Sequence, residues 1–317
     1  MDQQTEKVKT KSIEIETIVC AFDFSETADI ALEQAKRFAR RHEAKLLLAH
    51  VVEPIPLGPY PILSAPNDEL AIVDVARRRV NELVDVLRDD GTRVESIVRE
   101  GQPGAGLVGL AEEVGADLMV LGTRGLSGLK HLALGSTAED VVRRCACPVL
   151  TVHPEDRLLR DAIESVVLPT DLSSSALAAA EYFMSLFGSW ERPQVYLVYA
   201  DRTPAYLEPF RQDLLKEARQ PEVVREDIER QLAPVADRLR AADFPVEVAV
   251  LDGDPVSVTA DLVKECDADL VLLSTHGRSA LVNTLLGRTA QRIVQHAPCP
   301  VLTVRPRSLP AGRDGLD

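Results

Sequence analysis

The chain has 317 residues, of which 45% are hydrophobic and 27% charged, enough to bury the cores of about two domains. Its 36 basic and 50 acidic side chains leave a net charge of −14, which argues against a general nucleic-acid-binding protein, since such proteins present excess cations to phosphate. No apolar run approaches about 18 residues, and the polar N-terminal segment lacks the core of a signal peptide, so we expect a cytoplasmic protein with no membrane partner.

The first half of the chain alternates short apolar strands with helices. We predict strands at 17–22, 45–52, 93–99, 117–121 and 149–152, and helices at about 70–88, 103–114 and 136–144. Another helix follows the first strand, with Ser25 as its N-cap. Its predicted apolar face consists of Ala28, Ala31, Leu32, Ala35, Phe38 and Ala39. A proline-rich loop from Pro54 to Pro66 follows the second strand.

The second half repeats this order. Strands are predicted at 166–168, 195–199, 246–250, 270–273 and 301–304, and helices at 176–186, 221–240, 256–265 and 289–296. Pro234 should kink or shorten the long second helix of this half. A polar linker is predicted at about 153–164, and a loose tail after Arg305.

The two halves are copies of one domain. The segment Cys147-Pro-Val-Leu-Thr-Val152 recurs letter for letter 152 residues later, at 299–304. The same offset relates Gly101 to Gly253, Gly125 to Gly277 and Gly135 to Gly287. A period near 150 residues indicates a duplicated domain. We place the two domains at 1–154 and 155–317.

Short apolar strands that alternate with helices predict an α/β fold, in which a parallel sheet is covered on both faces. Such sheets bind ligands beyond the carboxyl ends of their strands, where the strand order reverses. In the first copy, one strand ends at Ala21-Phe22-Asp23 and another at Leu121. We therefore expect a site between these two strand ends.

The segment after Leu121 has the composition of a phosphate site. Gly122 and Gly125 allow main-chain N–H groups to approach a polyanion, and Gly135-Ser136-Thr137 opens a helix whose free N–H groups favour phosphate. Cations are available nearby from Arg124, Lys130 and His131. The alternative interpretation is a loop that needs glycines only for its turns before a capped helix.

At these residues the sequence resembles a known family. Gly122-x2-Gly125-x9-Gly135-Ser136 fits the G-x2-G-x9-G-(S/T) signature of the ATP-binding branch of the universal stress proteins. Further matches to that family are Asp23, His50-Val51, Gly101-Gln-Pro103 and the closing Cys-Pro-Val-Leu strand. The chain thus resembles a tandem universal stress protein.

This resemblance implies two Rossmann-like, five-stranded parallel sheets of strand order 3-2-1-4-5, with ATP and Mg²⁺ bound between strands 1 and 4 of the first copy. Asp23 would accept from the base amine or the ribose, and Val51 would pack on the base. Leu121, Gly122 and Gly125 would border the ribose and phosphates. The full set of expected nucleotide-binding residues is Ala21, Phe22, Asp23, Val51, Leu121, Gly122, Arg124, Gly125, Gly135, Ser136 and Thr137.

The second copy departs from the pattern, since Ser274 replaces the first glycine, Arg288 stands where Ser136 does and Ala280 replaces Gly128. We expect a degenerate or differently tuned site there. Arg288 would either reach a phosphate or plug the site by pairing with Asp171. The residues of this possible second site are Asp171, His276, Gly277, Gly287, Arg288 and Thr289.

Other motifs are weaker. Gly104-Ala-Gly106-Leu-Val-Gly109 has the form of a dinucleotide fingerprint, but it follows the third strand and its glycines are absent from the second copy, which favours helix packing. The spacing of a Walker loop is not met, and no nucleophile elbow or HExxH pair occurs. His50 and His153 are interpreted as structural. The Cys145-x-Cys147 pair has no partner pair at zinc spacing, so no metal site is predicted.

The favoured function is a module that binds ATP and passes its occupancy to protein partners in a stress response. Two alternatives remain open: a slow ATPase or phosphotransferase with Ser136 or Thr137 as acceptor, and a nucleotide-free dimeric scaffold. The closing strands at 148–152 and 300–304 are apolar edge strands, which we expect to pair antiparallel and make the chain an internal pseudo-dimer that two chains could double.

Overall fold

The computed structural model of the protein describes residues 13–54, 68–89, 91–125, 134–156, 162–188, 191–201, 221–275 and 286–305. The chain divides into two compact units, Glu14–Leu158 and Leu159–Asp317, the second of which also includes Met1–Ile13. Within the described residues, each unit contains five strands and four helices in strict alternation.

The first unit follows the predicted order of elements. They are β1 (Thr17–Ala21), α1 (Glu26–His42), β2 (Lys45–Val52), α2 (Asp68–Asp89), β3 (Val94–Glu100), α3 (Pro103–Val114), β4 (Leu118–Gly122), α4 (Ser136–Arg144) and β5 (Val149–Val152). All neighbouring strands are parallel, in the order β3-β2-β1-β4-β5. The predicted α/β fold with strand order 3-2-1-4-5 is therefore confirmed for this unit.

The second unit repeats the same topology. Its elements are β6 (Ser165–Thr170), α5 (Ser174–Phe187), β7 (Gln194–Asp201), α6 (Pro221–Ala241), β8 (Val246–Asp252), α7 (Pro255–Glu265), β9 (Leu270–Ser274), α8 (Arg288–His296) and β10 (Val301–Val304). Parallel pairing gives the order β8-β7-β6-β9-β10. The two units thus share one fold.

Pro234 does not shorten its helix, because α6 runs without interruption from Pro221 to Ala241. Pro234 is on the exposed side of the helix. Leu232, Ala236 and Leu239 are fully buried on the opposite side and hold the helix to the core across the proline. The expectation of a shortened helix was wrong for this reason.

The turns between the first strand and first helix of each unit are built alike. Ser25 caps α1 by accepting a hydrogen bond from the N–H of Ala28 (3.2 Å), as predicted, and Ser173 caps α5 in the same way. Phe24 and Leu172, which precede the caps, both have left-handed backbones, with φ of 64° and 62°. Non-glycine residues in this conformation are uncommon and cluster at functional sites.

A carboxylate anchors the first strand of each unit at the opposite edge of the sheet. Asp117 accepts hydrogen bonds from the main-chain N–H groups of Glu16 and Thr17, each 2.9 Å long. In the second unit, Asp269 accepts from Glu164 (2.8 Å) and Ser165 (3.1 Å). Each carboxylate satisfies donors at the start of a strand, which fixes the strand beside the α3–β4 or α7–β9 connection.

Candidate functional site

The ends of β1 and β4 lie next to each other at the carboxyl edge of the first sheet. The two strands pair with Cys20 opposite Val120, so the segments that follow them leave the sheet side by side. In the order β3-β2-β1-β4-β5, this is where the connections change direction and where a crevice opens in sheets of this kind. The predicted site residues of both segments are therefore close in space.

Asp23 and Gly125 bring these two segments together. One carboxylate oxygen of Asp23, Oδ1, accepts from the N–H (3.1 Å) and the hydroxyl (2.6 Å) of Ser25. The other oxygen, Oδ2, lies so close to Gly125 that a Cβ on this glycine would be only 2.5 Å away. The loop after β4 therefore rests against Asp23, and only glycine fits at position 125 without moving the carboxylate.

Gly122 lies against the first helix, α1. A Cβ at this position would lie 2.6 Å from Cγ2 of Thr27 in the first turn of α1, so the close approach is to a helix. In the second copy, Ser274 takes the place of Gly122, and the shorter Ser175 takes the place of Thr27. The larger residue at position 274 is thus matched by a smaller residue in the facing helix. The loss of the glycine therefore says little about ligand binding.

Gly135 is the N-cap of α4, and among the described residues no side chain caps the helix there. Its N–H donates to the carbonyl of Thr123 (2.8 Å), which holds the start of the helix against the end of β4. The following N–H groups of the first turn have no intrahelical acceptor, because a helix leaves its first donors unpaired. Ser136 is exposed and Thr137 half-buried at this end. The helix start thus presents main-chain and hydroxyl donors beside the crevice.

The remaining predicted residues line the same region. Ala21 is half-buried, Leu121 is buried, and the N–H of Phe22 donates to the carbonyl of Ala49 (2.8 Å). Val51 is half-buried at the end of β2. Arg124 forms an ion pair with Glu155 (3.2 Å), which offsets part of the positive charge that we expected to face phosphate.

An aromatic cluster at the ends of β1 and β2 was not predicted. The ring of Phe24 lies edge-on to Phe22 (centroids 5.2 Å apart) and to His50 (5.0 Å). Nδ1 of His50 lies 2.7 Å from the carbonyl oxygen of Phe22, and because a carbonyl only accepts, Nδ1 is the donor. His50 therefore holds the β1 end in place, which agrees with a structural role.

A second residue that the sequence reasoning missed is Thr123, between Gly122 and Arg124. Its side chain is 2% exposed, and its hydroxyl has no hydrogen-bond partner in the part of the chain that the structure describes. Its main-chain N–H donates to the carbonyl of Val152 (2.7 Å), and its own carbonyl accepts a hydrogen bond from the N–H of Gly135. The glycine signature treats this position as variable, so no sequence signal marked it.

Part of the possible second site can be placed. Oδ1 of Asp171 accepts a hydrogen bond from the N–H of Ser173 (3.0 Å). Gly287 is the N-cap of α8, and its N–H donates to the carbonyl of Thr275 (3.0 Å). Arg288 and Thr289 are exposed, and Arg288 forms no ion pair with any residue that the structure describes. His276 and Gly277 lie outside the described residues, as do Gly128, Lys130, His131 and Ala280.

Packing accounts for two glycines of the dinucleotide look-alike, Gly104 and Gly106. A Cβ on Gly104 would lie 2.6 Å from a carboxylate oxygen of Asp140 in α4, and one on Gly106 would lie 3.3 Å from both methyl groups of Val51. These glycines let α3 pack closely against its neighbours. They need no bound dinucleotide to explain them.

Neither the cysteine pair nor His153 forms a metal centre in the described part of the chain. The Sγ atoms of Cys145 and Cys147 are 3.3 Å apart, and this hydrogen bond, followed by burial, raises the pKa of the Cys147 thiol. His153 is buried with Asp156, whose carboxylate accepts its main-chain N–H (2.7 Å). Among the described residues, no three His, Cys, Asp or Glu side chains are grouped as metal ligands would be.

The family model of the universal stress proteins matches residues 14–153 and again residues 162–305. The chain belongs to the universal stress protein family. A universal stress protein of Mycolicibacterium smegmatis is 28% identical over 306 residues, which cover 92% of this chain and 97% of that protein. The match at this length agrees with the duplicated organisation read from the sequence.

A solved structure supports the same assignment of the fold. A universal stress protein from Archaeoglobus fulgidus has a TM-score of 0.66 at 18% identity, over 91% of this chain and 96% of that one. A universal stress protein in complex with cAMP is 32% identical, over 45% of this chain and 99% of that one, with a TM-score of 0.33. The latter is a family member that binds a nucleotide.

In the described part of this universal stress protein, no helix is long and apolar enough to cross a membrane.

Proposed function

We propose that the first unit of this universal stress protein binds an adenine nucleotide, ATP with Mg²⁺, and that the protein acts as a nucleotide-dependent regulatory module in a stress response. The observation that carries the proposal is the contact between Gly125 and Asp23 beside the uncapped start of α4. This arrangement supplies polar groups for a nucleoside at one end of the crevice and donors for phosphates at the other.

The charges suggest how the ligand is oriented. Asp23 would repel phosphate, so the nucleoside hydroxyls or the base amine would face its carboxylate. The helix start at Gly135, with Ser136 and Thr137, would receive the phosphates, because unpaired N–H groups and the helix dipole favour anions. Mg²⁺ would be held mainly by the phosphate oxygens, as is usual for this ion with nucleotides.

The test is mass spectrometry of ligand released from freshly purified, denatured protein, quantified per chain. We expect about one equivalent of adenine nucleotide, in keeping with one working site. Gly135→Val should abolish it, since a Cβ there would lie 3.2 Å from the Thr123 carbonyl oxygen and a branched side chain would crowd the start of α4. Gly287→Val, at the matching position of the second unit, is the control and should retain the equivalent.

Titration with ATP, ADP, AMP and cAMP, followed by thermal shift, would then identify the preferred nucleotide. Protein that releases no nucleotide and shows no shift with any of the four would refute the proposal and favour the scaffold. ADP formed in a single turnover and lost in Gly135→Val would instead favour the slow ATPase.

We also propose that the closing strands β5 and β10 pair with each other. Within its own unit, β5 pairs with β4 and β10 pairs with β9, so each is an edge strand of that unit's sheet, and each is apolar. Apolar edges need cover to avoid association with other chains. Slow amide hydrogen exchange along both strands is expected, and rapid exchange in either one would contradict the pairing.

A further inference from the structure

In the first unit, Val51 at the end of β2 packs against Gly106 in the first turn of α3. In the second unit the corresponding pair is Ala200 and Val258. This correspondence is fixed by hydrogen bonds, because the N–H of Gly101 donates to Val52 and that of Gly253 donates to Asp201, both at 3.0 Å. The valine has therefore moved from the strand to the helix.

The exchange nearly balances volume at the contact, since Ala200 and Val258 together have only one more side-chain carbon than Val51 and Gly106. A Cβ on Gly106 would lie 3.3 Å from each methyl carbon of Val51, so the first unit has no room for a larger helix residue. Ala200 is smaller by two methyl groups and makes room for the side chain of Val258, which is 9% exposed. Swaps of this kind preserve packing and are tolerated well by protein cores.

The swap changes the space in front of the third strand's end. Gly101 and Gly253 have nearly the same backbone, with φ of 138° and 142°. Beside Gly101, no atom of a described residue other than the glycine and its two chain neighbours lies within 4 Å of where a Cβ would be. Beside Gly253, Cγ2 of Val258 lies 3.1 Å from the corresponding point. The backbone is therefore the same in both units at this point, but the space beside the glycine is open among the described residues of the first unit and filled by Val258 in the second.

We infer that Val258 fills the space in the second unit that the nucleotide base would occupy in the first, and so restricts base binding to the first unit. The inference rests on the proposed function, in which the base packs on Val51. An isopropyl group in that space excludes a base, because non-bonded carbon atoms approach no closer than about 3.5 Å. Ala200 also offers less apolar surface to the base than Val51 does.

The experiment transplants the first unit's pair into the second. In Arg288→Ser, the phosphate end of the second unit resembles that of the first; in Arg288→Ser/Ala200→Val/Val258→Gly, the base end does as well. ATP equivalents per chain are measured by calorimetry on the full chain. We expect one equivalent for wild type and for Arg288→Ser, and two for the triple variant.

Two equivalents on Arg288→Ser alone would overturn the inference, since Val258 would then not block the site. One equivalent on a folded triple variant would overturn it as well. Absence of nucleotide binding by the wild type would instead refute the proposed function, and this outcome differs from both of the others.

The reverse exchange guards against misfolding, because glycine weakens the helix in the triple variant. Val51→Ala/Gly106→Val places the second unit's pair in the first unit, with a net gain of one side-chain carbon. It should retain the wild-type circular dichroism spectrum and weaken ATP binding at least tenfold, whereas Val51→Ala alone should weaken it much less. Wild-type affinity of the double variant would overturn the inference.

Discussion

Substituting Gly125 by alanine should strain the first unit through a single contact. The added methyl group would lie 2.5 Å from Oδ2 of Asp23, well inside van der Waals contact. The carboxylate must then turn and weaken its two bonds to Ser25. Overpacking costs about 1–3 kcal/mol, and a hydrogen bond to a charged group contributes about 1.5–3 kcal/mol, so we expect Gly125→Ala to destabilise the unit by about 2 kcal/mol.

Asp23→Ala isolates the cause of this loss. It removes the group that the methyl would hit, so Gly125→Ala should cost less than about 0.5 kcal/mol in the Asp23→Ala background. The coupling energy between the two substitutions is then about 1.5 kcal/mol, within the range found for residues in contact.

Urea unfolding of the four proteins, with hydrogen exchange in β1 and β4 to assign the change to the first unit, measures this cycle. Equal costs of Gly125→Ala in both backgrounds would show that the glycine is needed for some reason other than Asp23. The contact with the Asp23 carboxylate would then not be the source of the strain.

Two further predictions concern stability. Burial, followed by the charge of Arg41, lowers the pKa of His42 from 6.5 to about 4. As the pH falls, the unfolded chain therefore binds this proton before the folded chain does, and the free energy of unfolding decreases between about pH 6.5 and 4. His42→Gln should reduce this decrease, as measured by urea midpoints across that pH range, and an unchanged pH profile would contradict the prediction. Asp117→Ala should destabilise the first unit by about 1–3 kcal/mol, because it leaves the part-buried N–H of Thr17 without its acceptor. Asp269→Ala should do the same in the second unit through the N–H of Ser165. Unit-resolved hydrogen exchange measures both losses, and a loss of protection in the other unit would contradict the prediction.

The fold could be predicted because its signals are local and repeated. The central strands β1, β4 and β9 are short apolar runs that are largely buried, and α1 has both an apolar face and a cap at Ser25. Because the same order of elements recurs 152 residues later, each element could be assigned independently in both copies. The expected shortening at Pro234 was wrong because tertiary packing of α6 outweighs the local preference of proline to end a helix.

The site was only partly predictable, because its geometry depends on residues far apart in the chain. The spacing of Gly122, Gly125 and Gly135 located the loop, but it could not reveal that Gly122 faces Thr27 while Gly125 faces Asp23. The contact of Phe24 with His50 depends on the pairing of β1 with β2. No spacing rule contains that information.

The two units therefore differ where packing partners can change together. The contacts that build the fold are repeated with their chemistry intact: the serine caps, the carboxylates Asp117 and Asp269, and the glycines that end β3 and β8. The residues around the crevice have changed in compensating pairs, Gly122 and Thr27 to Ser274 and Ser175, and Val51 and Gly106 to Ala200 and Val258. A compensated pair leaves stability nearly unchanged, so selection for folding alone does not preserve the site. For this reason the space beside Gly253, more than the missing glycine at position 274, is where a loss of ligand binding should be sought.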